Sequence, residues 1–292
     1  MADQATIILV VLINGILIAG VYALVATGLT LVFGVLRIVN FAHGEFVMLG
    51  SYFSYYLYLF LNISPIFSFF LVIPTMALLG LLLQKILINP ILKAPVINQI
   101  LLTFGLGLVL QNIAFLLFSA ENVSVRTSYS SAPVNIGSIS FGAARGVCFL
   151  IALAIFLLLY YVIKFTDFGK KLRAVEEDKE AAMLRGINSQ WVYYVTFAIA
   201  ASLGGISGVA TSVVMYTFPM LGYLFILKAF CIVILGGLGS IMGAMYASLI
   251  LGITESAVGY YTPGGSGWSE AVAFVLIVIV LIIKPKGIFG TE

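Results

Sequence analysis

Residues 164–190 read KFTDFGKKLRAVEEDKEAAMLRGINSQ, and the rest of the chain is organised around this stretch. Six basic and five acidic residues fall between Lys164 and Arg185, eleven of the 25 charged residues in the protein. A charge at the centre of a bilayer costs about 2.5–3.5 kcal/mol on insertion scales, so the segment must stand in water. No Gly or Pro interrupts residues 171–185, where Ala, Leu, Glu, Lys and Arg favour helix. Gly186, with Asn188 close behind, supplies a stop. The pattern predicts a short cytoplasmic helix that offers a mixed-charge surface to another protein. Within it, Ala182 and Gly186 lie four apart on one face, both small enough for a partner to approach closely. Glu180, Ala181 and the basic residues around them would line the edge of that contact.

Outside this stretch the chain is overwhelmingly apolar. Of 292 residues 62% are hydrophobic and 9% charged, with a mean hydropathy of +1.19. No soluble fold of this length hides so much apolar side chain, so the expected class is an all-α, polytopic helical membrane protein. A single membrane domain over residues 1–292 is expected, with a charged loop at about 164–190 and an external loop at about 119–145. Apolar runs span about 6–34, 46–61, 66–88, 96–118, 146–163, 191–216 and 271–283. Each approaches the ~20 residues a helix needs to cross the hydrocarbon. Two further pieces, about 220–235 and 241–257, are split by Gly236-Gly237-Leu238-Gly239-Ser240. The expected total is eight or nine membrane helices. Met1-Ala2-Asp3-Gln4 lacks the positive start of a signal peptide. Cys148 and Cys231 sit in separate apolar runs and suggest neither a disulfide nor a metal site.

Positive charge orients the spans. With residues 164–190 in the cytoplasm, Arg37, Lys85, Lys93, the six basic residues of the loop, Lys284 and Lys286 all lie inside. Arg126 and Arg145 lie outside, and Lys228 is unassigned. This predicts an external N-terminus and a cytoplasmic C-terminus. The Gly-split region must then enter and leave on one side, as two short crossings or as one re-entrant hairpin.

Two places break the apolar pattern. Residues 28–50 hold Asn40, the chain's one histidine His43, and Glu45, with Gly44 between the last two. A glycine between polar groups permits a helix break facing a cavity, and ionisable groups within a membrane are functional candidates. Equally, these residues suit the start of the second helix, where Glu45 would favour the N-terminus. The second break is Gly236, Gly237 and Gly239, with Lys228 two turns earlier. Broken helices are where transporters bind and pass substrate, which makes both breaks candidates for a translocation path. Lys228 is expected to snorkel or to pair within the bundle, and Gln111-Asn112 to join helices. No G-x-x-x-x-G-K-[ST] occurs, so any ATP hydrolysis must fall to another chain. With one histidine, no H-E-x-x-H and no clustered acids, an enzyme is not expected.

The stretch GLTLVFGVLRIVNFAHGEFVMLGSY (residues 28–52) closely resembles the N-terminal signature of LivH-type permeases of branched-chain amino-acid ABC importers. LLTFGLGLVLQN, ILGGLGSIMGA and the closing KPKGIFG are similar to the same family, in the same order. Glu180-Ala181-Ala182 with Gly186 resembles the EAA-x-x-x-G coupling signature, although the Ile-x-Leu-Pro that often follows is absent. The resemblance implies a bacterial inner-membrane importer built from two permeases, identical or homologous, two ATPase subunits and an external substrate-binding protein. ATP would be used by the partner subunits, with no cofactor bound by this chain and no nucleic-acid partner. Permeases for urea and short amides share these signatures, and a stand-alone secondary transporter or channel remains a further alternative.

Overall fold

The computed structural model describes residues 4–127, 133–136, 139–285 and 287–289. Lys286, counted above on the cytoplasmic side, lies outside the described residues, as do parts of the external loop and the first three residues. In chain order come α1 (Gln4–Leu36), α2 (His43–Leu61) and α3 (Pro65–Leu83), which continues through a π-turn (Gln84–Ile88) into α4 (Asn89–Ile91). Next are α5 (Val96–Phe118), the strands β1 (Pro133–Ile136) and β2 (Ile139–Gly142), α6 (Ala143–Phe165), α7 (Asp167–Glu177) and α8 (Lys179–Leu184). The chain closes with α9 (Ser189–Val214), α10 (Leu221–Gly236), α11 (Ile241–Tyr261) and α12 (Ser269–Ile283). Six helices are long and apolar enough to cross a membrane, and α10 and α12 are shorter apolar helices. The protein is therefore a polytopic helical membrane protein, with helices where the apolar runs place them. The stretch expected to be external departs from a plain loop: β1 and β2 pair antiparallel with Pro133 opposite Gly142.

The least exposed helix is not the most apolar one. The membrane window of α9 has a mean hydropathy of 1.7 and is 83% buried, whereas that of α6 has 2.8 and is 28% buried. In lipid no hydrophobic force separates helix from tail, so helices associate by close packing and hydrogen bonds. α9 supplies both. Gly204, Gly205 and Gly208 are buried against α2 and α3, and α9 also packs on α1. A Cβ on Gly208 would sit 2.1 Å from the Val47 carbonyl, and one on Gly50 would sit 2.3 Å from the Gly205 carbonyl. Between these contacts the hydroxyl of Ser207 donates to Val21 O at 2.9 Å, and that of Ser202 to Ile73 O at 3.1 Å. Ser212 donates to Ser54 Oγ at 3.1 Å.

Two helices begin inside the bundle rather than at its ends. After Leu36 the chain turns at Arg37, whose φ is 55°, and runs back inward. His43, the first residue of α2, meets Val25 of α1. Val25 lies eleven residues before the end of α1, about 16 Å at 1.5 Å per residue. Past the end of α9 the chain likewise folds back: Thr217 pairs with Val123 in an isolated bridge and its hydroxyl meets that of Ser51. α10 then starts level with α2, where a Cβ on Gly44 would meet the Gly222 carbonyl at 2.1 Å. α10 and α11 are joined at the end of the bundle that carries the charged segment. The Gly-split region is therefore two apolar helices joined beside Gly34 and Glu176, and it does not turn midway through the bundle.

Gly208→Leu forces a side chain into the Val47 carbonyl, and overpacking of this kind costs about 1–3 kcal/mol. The expected result is a clearly lower thermal midpoint in detergent. Gly105→Ala, where a Cβ meets nothing within 4 Å, should leave the midpoint unchanged in the same measurement.

Candidate translocation path and coupling surface

Asn40, His43 and Glu45 fall on one turn but face different surroundings. Asn40 builds the turn: its Oδ1 accepts from Ala42 N at 3.1 Å, and its carbonyl accepts from His43 N at 3.3 Å. Asn suits such a position because its side chain mimics a backbone turn. His43 is fully buried and pins α2 to α1, its Nε2–H donating to Val25 O at 3.0 Å. Gly28 makes room for the ring, since a Cβ there would lie 2.8 Å from Cε1. Phe46 closes the other side edge-on, 5.9 Å between ring centres. Glu45 turns instead toward α5 and α10 and borders a cavity of about 200 Å³ with Phe41, Gln111 and Tyr223. Its carboxyl lies on Gly222, where a Cβ would fall 2.5 Å from Oε2.

The glycines of the second break sit far from that turn. Gly236 packs against the Gly243 backbone, while Gly239, at φ 84°, lies beside Gly34 and the Glu176 carboxylate. Ile288 N and Phe289 N donate to Leu235 O and Gly236 O at 2.8 and 3.1 Å, tying the last described residues to this joint. Gly236, Gly237 and Gly239 therefore form a hinge-like corner at the charged end, not a break midway through the bundle. Lys228 pairs within the bundle. Its Nζ lies 2.9 Å from the Glu255 carboxylate and 2.8 Å from Tyr22 Oη, and Tyr22 donates to the same carboxylate at 2.7 Å. The triad joins α1, α10 and α11. Neither Tyr22 nor Glu255 was singled out by pattern, although Glu255 is the one acid within its apolar run.

Residues 171–185 do not form one helix. The chain breaks at Asp178 (φ −147°, ψ 105°), whose carboxylate caps α8 by accepting from Glu180 N and Ala181 N at 2.9 and 3.0 Å. Asp competes with the backbone for such hydrogen bonds and so favours a cap over a helix interior. α7 is seated on the bundle through buried Leu172 and Val175, through Arg173 donating to Ile163 O, and through Arg37 donating to Glu176 O at 2.9 Å. Burial pushes the Glu176 carboxyl above its ordinary range, an effect partly offset by Arg37 and Arg173. Asp167, exposed at the start of α7, is held below the usual carboxylate range by its hydrogen bond to Lys170.

The predicted small-residue face is only half available. Ala182 is 3% exposed and packs into the protein's own core. Gly186 does end the helix, at φ 79°, with Ile187 N reaching back to Ala182 O at 3.1 Å, and a Cβ there would meet nothing. The side chains that point outward are Lys179, Glu180, Ala181, Met183, Leu184 and Arg185. Leu184 is 90% exposed and Met183 51%. An apolar pair held out from a charged surface marks an interaction site. A sequence of helical spacing alone hides it, because the break at Asp178 decides which face is outward.

A bundle packed on a glycine- and hydroxyl-rich central helix, with two helices starting inside it and a charged segment presenting apolar side chains at one end, defines a polytopic transport subunit. The chain belongs to the family of branched-chain amino acid transport system permease components, whose family model matches residues 11–281. A permease component is the non-catalytic part of such a system. Among its relatives, the high-affinity branched-chain amino acid transport system permease protein LivH of Escherichia coli (strain K12) is 30% identical, with 99% of this chain and 98% of the relative covered. The permease protein BraD of Pseudomonas aeruginosa is 29% identical, covering 96% and 94%. The probable LivH of Methanocaldococcus jannaschii is 26% identical, covering 97% and 92%. Among solved structures, PsaBC from Streptococcus pneumoniae in complex with Fab shares the fold, with a TM-score of 0.50 at 16% identity over 94% of this chain and 92% of that one.

Removing Lys228 alone strips the buried Glu255 carboxylate of its countercharge and leaves it only the Tyr22 hydroxyl, a loss of about 3–5 kcal/mol. Lys228→Met is therefore expected to lower the thermal midpoint strongly in detergent. The double variant Lys228→Met with Glu255→Met should recover most of the loss, as replacing a whole buried pair with apolar groups is often neutral.

Proposed function

We propose that this chain is the membrane-spanning permease subunit of an ATP-binding cassette importer that carries branched-chain amino acids into the cytoplasm. The observation that carries this is near full-length similarity to permeases named for that transport, over 99% of the chain in the E. coli case. The scarcity of fixed charge within the spans agrees with it, since such a path suits a solute of zero net charge. In this reading ATP is hydrolysed on two partner ATPase subunits, a second permease completes the path, and an external binding protein delivers the substrate. The chain sits in a bacterial inner membrane with its N-terminus outside and its charged end in the cytoplasm. α7 and α8 form the surface that receives the ATPase, with Leu184 and Met183 entering its cleft and Glu180, Ala181 and Gly186 around them. Vesicles holding the assembled importer should take up leucine, isoleucine and valine. Uptake of urea or acetamide in their place, or of none of these, ends the substrate reading.

The docking surface has its own test. Leu184→Glu should insert and fold normally, because its side chain points away from the bundle, but should lose most ATPase in a pull-down. Gly186→Trp should leave the spans intact while straining the positive φ that ends α8, and should lose ATPase as well. Glu180→Gln should lose less, as a charge at an interface edge contributes about 0–1 kcal/mol. Full ATPase capture by Leu184→Glu would place the docking surface elsewhere.

A further inference from the structure

Glu45 is the ionisable acid at the α2 start, and it borders a cavity. It is 5% exposed, and its Oε2 is buried with no hydrogen-bond partner. No salt bridge reaches it among the described residues. Lys228, two residues beyond Ile226 and so on the other face of α10, is directed to Tyr22 and Glu255. A buried carboxyl without a side-chain partner costs free energy as an ion in a low-dielectric interior, and a cation entering the cavity would offset that cost. The cavity beside it is otherwise apolar, walled by Phe41, Phe104, Leu108 and Ile226, with Gln111 and Tyr223 adding polar groups. Two helix starts converge on the same place. α2 begins at His43 and α10 at Leu221, no side chain caps either one, and Gly44 and Gly222 bring them into contact. Uncapped helix N-termini carry free N–H groups and partial positive charge that favour a carboxylate.

We propose that this cavity holds the zwitterionic head of the transported amino acid, with its ammonium on the Glu45 carboxylate and its carboxylate toward the start of α10. The inference rests on the amino-acid reading above and adds the site and the selectivity to it. The branched side chain lies against Phe41, Leu108 and Ile226. The mouth opens where Phe104, Leu108 and Tyr223 are exposed, the side we assign to the path between two permease subunits. Gly222 is part of the site, since any side chain there would displace the carboxylate from its seat. The arrangement selects against solutes that lack an ammonium, such as urea, short amides and the matching carboxylic acids.

The test uses the complete importer in proteoliposomes, with leucine-loaded binding protein at saturation. Glu45→Gln should lower the maximal leucine uptake at least tenfold in importer that still assembles with its ATPase, and Glu45→Asp should restore part of the rate. Wild-type uptake by Glu45→Gln overturns the proposal. Wild-type vesicles that transport no branched-chain amino acid would instead sink the functional reading, so the two failures are distinct. Local charge gives a second readout that is independent of transport. Leu108→Cys should react at least fivefold faster with a cationic than with an anionic thiosulfonate reagent of equal size. That preference should disappear when Glu45→Gln is added, and saturating leucine should slow labelling. If Glu45→Gln fails to assemble, labelling of Leu108→Cys alone decides. Equal rates with both reagents, or no protection by leucine, overturn the site.

Discussion

Everything in the bundle depends on how closely α9 approaches its neighbours. Lipid tails compete on equal terms with Leu and Phe, so large apolar side chains do not sort helices in a membrane. What does so here is backbone proximity at Gly50, Gly205 and Gly208, with serine hydroxyls bridging to carbonyls of α1 and α3. Large apolar residues are accordingly turned outward, as Phe60, Phe70 and Leu116 show. That close central contact also holds the inner start of α2 in place, since Phe46 and Val47 lie directly against Gly204 and Gly208.

The positions of the helices were legible because each apolar run is bounded by charge, Gly or Pro. The stop at Gly186 was legible for the same reason, its positive φ being a backbone state glycine enters freely. What could not be read is which way a helix faces once it is interrupted. Asp178 looks like ordinary helix composition, yet it caps α8 and turns Ala182 inward and Leu184 outward. The start of α2 was equally opaque. Hydropathy places Asn40 to Glu45 near the surface beside Arg37, while the chain in fact re-enters the bundle there, and only the pairing of His43 with Val25 reveals the depth. The candidate glycines at 236–239 were recognised as a break, but their depth follows from contacts with Gly34 and Glu176 that no local pattern encodes.

The charged end and the inner site are mechanically continuous. Glu176 of α7 touches Gly34 and Gly239, Arg37 binds the Glu176 carbonyl, and only seven residues separate Arg37 from Glu45. α10 ends at the same joint, and its far end carries Gly222, which supports the Glu45 carboxyl. A displacement of α7 would reach the cavity along two covalent routes, through residues 37–45 and through α10, each stiffened by the anchors at Val25 and at the Lys228–Glu255 pair.

The composition of α2 carries a consequence for biogenesis. With His43, Glu45, Ser51 and Ser54 buried along it, α2 is not among the helices apolar enough to cross a membrane by themselves. The groups that satisfy and cover it, Gly205, Gly208, Ser212 and Thr217, are synthesised more than 150 residues later. The nascent N-terminal half therefore emerges with a span that lipid alone does not welcome. It must be sheltered by the insertion machinery until α9 arrives, which makes the second half of the chain an internal chaperone for the first.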